Sequence, residues 1–236
     1  SKNNNLGNFL RRKSMDVLRQ EISDYIETYE PGFFYFVDDV FLARPKSEIF
    51  QFCDMYEEFG LPFWFNTRSE SCEPDILARL KEVGCYRISF GIECGNEQYR
   101  QKVLRRKISN DELIYRFNDI IAKSGIVFSL NVIIGMPGET RDLVMDTVEL
   151  IRSIKGFDAL TVSIFTPYHG TVLRDVAIKN GWMDPKTITT HTTARSVMNM
   201  PPPYLSADEL ESLALTFSLY TYFPKSEWPQ ILRGEK

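Results

Sequence analysis

Three stretches of the chain, residues 86–95 (YRISFGIECG), 127–135 (VFSLNVIIG) and 158–166 (DALTVSIFT), alternate with the two-residue period of a strand. The same asymmetry recurs in each. In the first, Tyr86, Ile88, Phe90 and Ile92 share one face, and Arg87, Ser89, Gly91 and Glu93 the other. In the second, Phe128, Leu130, Val132 and Ile134 oppose Ser129, Asn131, Ile133 and Gly135; in the third, Leu160, Val162 and Ile164 oppose Thr161 and Ser163. A doubly wound open sheet buries both faces and does not produce this pattern. An apolar face under covering helices with a small or polar face behind it fits a curved sheet around a wet lumen.

Two earlier strands are expected at residues 33–38, a nearly continuous apolar run ending in Asp38-Asp39, and at residues 61–68, ending on Asn66 and Arg68. Helix signals fill the intervals: Ser14 caps a first helix, Pro74 and Gly84 bracket another, and Ser109-x-x-Glu112 reads as a capping box. Thr140 opens the helix after the Met136-Pro137-Gly138-Glu139 turn. Ser206-x-x-Glu209 caps a last helix, with Leu205 and Leu210 as a hydrophobic staple. Strands alternating with helices imply parallel βα units with right-handed crossovers. The expected fold is α/β, a curved parallel sheet or partial barrel, with the strand that its first helix should follow missing. Residues 1–13 form a polar arm, 14–181 the barrel and 182–236 a C-terminal helical extension.

Net charge is −4, which argues against a nucleic-acid surface. No apolar run is long enough to span a bilayer and the start has no signal-peptide pattern, so no membrane partner and a cytoplasmic location are expected. Cys53, Cys72, Cys85 and Cys94 are spaced by 19, 13 and 9 residues, matching no zinc or iron–sulfur pattern, and no metal site is expected within the chain. Two basic runs, Arg11-Arg12-Lys13 and Arg105-Arg106-Lys107, read as solvated loops, with a cofactor carboxylate contact as the sharper alternative.

In parallel βα folds, sites collect where the strands end. Asp38, Asp39, Arg68, Glu93, Cys94, residues 135–139 and Tyr168-His169-Gly170 all fall on that one rim. Each has a structural reading, as a cap, an ion pair or a turn glycine. Their coincidence above a polar lumen favours function for Asp38 or Asp39, Arg68 and Glu93, while Cys94 reads as a small filler. An acid–base pair of Asp39 and Glu93 is a weaker reading.

The ordered segments FYFVDDVF, FNTR, FGIECGNEQYR, IIGMPGET and FTPYHGTVL resemble the radical S-adenosylmethionine (SAM) superfamily, in the branch often fused to a cobalamin-binding domain. The resemblance implies a partial TIM-like barrel of (β/α)6 type that binds SAM across its strand tops. It also implies a [4Fe–4S] cluster that cleaves SAM to a 5′-deoxyadenosyl radical, acting on a substrate in the lumen. On that pattern the Asp38-Asp39 region meets the SAM amino group, and Arg68 and Glu93 contact its carboxylate or ribose. The backbone of Ile134, Gly135, Met136 and Pro137 lies beside adenine. Arg87, Ser89, Ser129, Asn131, Thr161 and Ser163 face a small-molecule or peptide substrate. The implied partners are a reductant such as flavodoxin or ferredoxin, and cobalamin through an upstream domain.

The family's Cys-x3-Cys-x2-Cys loop is absent from the chain, and its place is expected upstream of Ser1. The chain alone is therefore expected to be inactive, with weak SAM affinity. The alternative is a binding or scaffold domain that kept the barrel without the cluster.

Overall fold

The computed structural model describes residues 12–190 and 195–235. Five parallel strands lie in sequence order in one sheet: β1 (Phe34–Phe36), β2 (Phe63–Thr67), β3 (Cys85–Glu93), β4 (Val127–Ile134) and β5 (Ala159–Ile164). Helices α1 (Met15–Tyr29), α2 (Lys46–Tyr56) and α3 (Pro74–Glu82) accompany the first strands. After β3 come α4 (Glu97–Val103) and α5 (Asn110–Tyr115), the latter continuing through a π-helical segment, Arg116–Ile121, into α6 (Ala122–Ser124). Next are α7 (Arg141–Ser153), α8 (Val172–Lys179), α9 (Ala207–Tyr222) and α10 (Trp228–Gly234).

Local chemistry explains most boundaries. Ser14, Asn96, Ser109, Thr171 and Ser206 each accept a hydrogen bond from a first-turn N–H, satisfying a donor that the helix cannot. At Ser206 the reciprocal bond from its own N–H to Glu209 completes the capping box. At Ser109 it does not form: Glu112 pairs with Arg116 one turn on, and the Asn110 N–H goes to Glu97.

The alternation holds in β3 to β5. Ile88, Phe90, Ile92, Phe128, Leu130, Val132 and Ile134 are buried under the helices, in one core with Phe63 and Phe65 of β2. Two expectations need correction. Tyr86 does not join the apolar face: β2 passes from Phe63↔Cys85 to Trp64↔Arg87, the bulge skips Tyr86, and its ring is exposed. Residues 33–38 are not a strand buried on both sides, because β1 is a three-residue edge with Phe33 and Val37 exposed.

The C-terminal extension covers β5. α9 packs on α7 and β5 through Leu210, Leu213 and Phe217, all buried. A second small core, Ala177, Met183, Met198 and Met200 with Trp182 and Tyr204 packed on it, joins α8 to the irregular segment before α9. Among the described residues no helix is long and apolar enough to cross a membrane.

Candidate functional site

The rim is built around the end of β3. Gly91 pairs with Asn131, but Glu93 pairs with Val132, so a second bulge falls at Ile92. Glu93 takes a left-handed backbone, φ 66°, which a residue with a Cβ adopts at a cost. Its side chain folds back over Gly91, where a Cβ would lie 2.2 Å from Glu93 Oε1. Burial pushes the Glu93 carboxyl pKa up, against the pull of Arg106 and Arg68. The carboxylate accepts no hydrogen bond among the described residues.

Arg106 belongs to a run that reads as a solvated loop in the sequence, yet it is only 8% exposed. Its NH1 donates to the Gly91 carbonyl at 2.8 Å, and its NH2 to both oxygens of Glu70, at 3.0 and 3.1 Å. Its Nε–H finds no acceptor among the described residues. The guanidinium is thereby fixed beside Glu93 at the strand end. The one signal for it in the sequence is the alternative of a carboxylate contact from a basic run.

Beside it, β4 ends in the turn of residues 135–139, and Glu139 ties that turn from within. Fully buried, it accepts from the N–H groups of Gly135 at 2.6 Å and Met136 at 3.2 Å through Oε2, while Oε1 has no partner among the described residues. Burial pushes its pKa up to about 7, the two backbone N–H groups acting against the shift. Tyr99 of α4 donates to the Pro137 carbonyl at 2.9 Å. Gly135 is required twice over: its φ is 80°, and a Cβ would meet Leu210 of α9 at 2.7 Å.

The other expected residues divide between the rim, the strand interiors and the opposite end of the sheet. Asp38 accepts from Arg44 at 2.8 Å and from the Val40 N–H at 3.3 Å; Asp39 is exposed. Arg68 is exposed where β2 ends, one residue past Thr67, the partner of Phe90. Ser89 and Ser129 share a hydrogen bond of 2.8 Å and are buried, with Asn66 of β2 in register with Ser89. Above them lie Gly91, Asn131 and Thr161, then Ile133 and Ser163. Arg87 lies near the start of β3, at the opposite end of the strand from the rim, and is committed to an ion pair with Asp158 just ahead of β5. Asn66 donates to the Tyr35 hydroxyl at 2.6 Å, and Tyr35 packs against Trp64 with centroids 4.6 Å apart. Glu93 thus sits where the charges of Arg106 and Arg68 act on it.

Chemically, this rim offers a desolvated carboxylate that can accept from ligand hydroxyls. It also offers a held guanidinium and an exposed one for a ligand anion, and a tight backbone turn with buried apolar support. The family model described as the radical SAM superfamily matches residues 5–151, more than half of the chain. The chain belongs to the radical SAM superfamily. An uncharacterized methyltransferase of Pyrococcus horikoshii is 27% identical over 193 residues, covering 80% of this chain and 41% of the relative. Cytidylyl-2-hydroxyethylphosphonate methyltransferase of Streptomyces wedmorensis is 24% identical over 242 residues, covering 94% and 44%. The chain thus spans about four-tenths of the length of these curated relatives. Among solved structures, the radical SAM methyltransferase TsrM from Kitasatospora setae, with cobalamin and a [4Fe–4S] cluster bound, superposes with a TM-score of 0.58. That match covers 95% of this chain and 46% of that one at 13% identity.

The residues of this radical SAM chain do not fit an iron–sulfur cluster. Its four cysteines lie in α2, after β2, in β3 and directly after β3, all buried. Burial pushes their thiols away from the thiolate that iron requires, those of Cys53 and Cys72 to about 12 and that of Cys94 to about 11. Among the described residues no three metal-ligating side chains converge.

Proposed function

We propose that this chain is the SAM-binding barrel of a radical SAM enzyme, and that the enzyme is a cobalamin-linked methyltransferase. The observation that carries the reading is Glu93, held in a left-handed conformation over Gly91, desolvated and flanked by Arg106 and Arg68. A half-buried acid that accepts no hydrogen bond, on a left-handed backbone, is costly in a merely structural role. It is well suited to accepting from the two hydroxyls of a ribose. Arg106 and Arg68 then take the carboxylate of the ligand's amino-acid end, a pairing that guanidinium geometry favours.

The residues fit SAM on this account. The turn from Ile134 to Pro137 offers the adenine its backbone, with Glu139 and Tyr99 keeping it in shape. The loop with Asp38 and Asp39 receives the amino group, and its own anchoring supports that role: Phe41 N–H donates to the Asn66 carbonyl, and Leu42 N–H to the Thr67 hydroxyl. The lumen row of Ser89, Ser129, Asn131, Thr161 and Ser163 faces the substrate. Arg87, paired with Asp158, closes the far end. When bound, SAM supplies a methyl or deoxyadenosyl group. The protein's part is to orient it and to hold a hydrogen-bonding lumen below it.

The methyltransferase reading rests on the names of the two curated relatives and on the cobalamin-bound TsrM neighbour. The cluster cysteines, a cobalamin domain and a reductant such as flavodoxin or ferredoxin belong, on this reading, to a longer protein containing this chain. The test is anaerobic loading of that longer protein with iron, sulfide and cobalamin. SAM consumption releasing 5′-deoxyadenosine or S-adenosylhomocysteine is expected, and it should be lost in Glu93→Gln. Absence of SAM consumption by the loaded native protein would overturn the reading.

A further inference from the structure

We propose that Glu70 is the positioning residue for Arg106: it orients the guanidinium that receives the anionic end of the ligand. The inference rests on the proposed SAM-binding role and names a residue which that role does not itself require.

Arg106 lies between α4 and α5, outside any regular element, and succeeds Arg105, whose φ is 55°. No helix or strand of its own therefore fixes its side chain. Two contacts do so instead, one to the Gly91 carbonyl and one to Glu70. The first is a single neutral hydrogen bond about which the guanidinium plane can still turn. The second is a charged contact from another loop, with one nitrogen shared between two oxygens, and it removes that freedom. Glu70 is itself held: Ser69 donates to Oε2 at 3.1 Å. Burial works against its charge, but Arg106 and the local hydrogen bonds outweigh it and keep its pKa below the usual carboxylate value.

The loop carrying Glu70 is held from behind. Arg116 donates to the carbonyls of Ser69 at 3.4 Å and Cys72 at 3.3 Å. Arg116 is the first residue of the π-helical segment. A π turn inserts one residue into a helix and rotates the turns beyond it, so this local departure from α geometry coincides with the residue that anchors the loop. The path runs from Arg116 through the chain at Ser69 and Cys72 to Glu70, Arg106 and Gly91, and every side-chain step in it is a hydrogen bond.

The test compares two ligands that share adenosine and sulfur and differ in the amino-acid end. S-adenosylhomocysteine carries it; methylthioadenosine lacks it. Both are titrated into the chain by ligand-observed NMR, for the native protein, Glu70→Gln, Glu70→Asp, Arg106→Lys and the double variant of Glu70→Gln with Arg106→Lys. Glu70→Gln is expected to weaken S-adenosylhomocysteine by about tenfold, to leave methylthioadenosine within about twofold, and to add nothing to Arg106→Lys. Glu70→Asp, which keeps the charge, is expected to recover part of the loss. Equal weakening of both ligands, no weakening, or no recovery in Glu70→Asp would overturn the positioning role. Failure of the native chain to bind either ligand would overturn the SAM-binding reading, and this inference with it.

Discussion

At Gly91 a missing methyl group decides where a carboxylate sits. The atom that a Cβ would meet is the end of the flexible Glu93 side chain, not backbone. Gly91→Ala should therefore change stability by less than about 1 kcal/mol while displacing Glu93, and S-adenosylhomocysteine affinity should fall by about tenfold. Thermal melting beside a binding titration separates the two effects. Glu139 supplies a pH test. Its folded pKa of about 7 lies above the ordinary carboxyl value, so the folded state binds the extra proton and stability falls as pH rises from about 5 to about 8. The loss has an upper bound of about 3 kcal/mol. In Glu139→Gln that pH dependence should shrink, in urea unfolding curves measured at the two ends of the window, to what the raised Glu93 carboxyl contributes. An undiminished dependence would place the titrating group elsewhere.

Among the elements, the C-terminal extension reaches the site from outside the sheet. The Gly138 N–H lies 3.5 Å from the Met200 sulfur, Thr140 bridges to Tyr204, and Leu210 of α9 lies against Gly135. Leu210→Ala removes a fully buried side chain and should cost about 2–5 kcal/mol. Part of that cost should appear locally, as faster hydrogen exchange at the Gly135 and Met136 amides while β2 keeps its protection. α7 is pressed as closely on the loop after β3. A Cβ at Gly95 would come within 2.3 Å of the Thr147 Cα and 2.4 Å of the Asp146 carbonyl oxygen, both backbone atoms. Gly95→Ala is expected to destabilise by about 1–3 kcal/mol or more, read as a lowered urea midpoint.

Across the whole molecule, the strands and the two faces of the sheet were legible because burial under helices imposes a two-residue period that the sequence must obey. The bulges at Tyr86 and Ile92 were not, because they arise from pairing with β2 and β4, and no pattern within β3 records its neighbours' register. The same reason hid the commitment of Arg87 to Asp158, 71 positions away. It also hid Arg106, which looks like any basic loop residue until Gly91 and Glu70 are brought to it. The rim itself was legible as strand ends, whereas the hold of Met200 on the turn came from a segment with no period to read.

The central claim is that the tops of β3 and β4 bind the adenosyl amino acid, and chemical-shift mapping tests it most directly. S-adenosylhomocysteine at millimolar concentration, added to the isotopically labelled chain, should shift the amides of Gly91, Glu93, Gly135 and Met136 in a saturable way. Those of Arg87 and Asp158 at the far end should stay in place. An absence of saturable shifts, or shifts confined to the Arg87 end, would contradict the account.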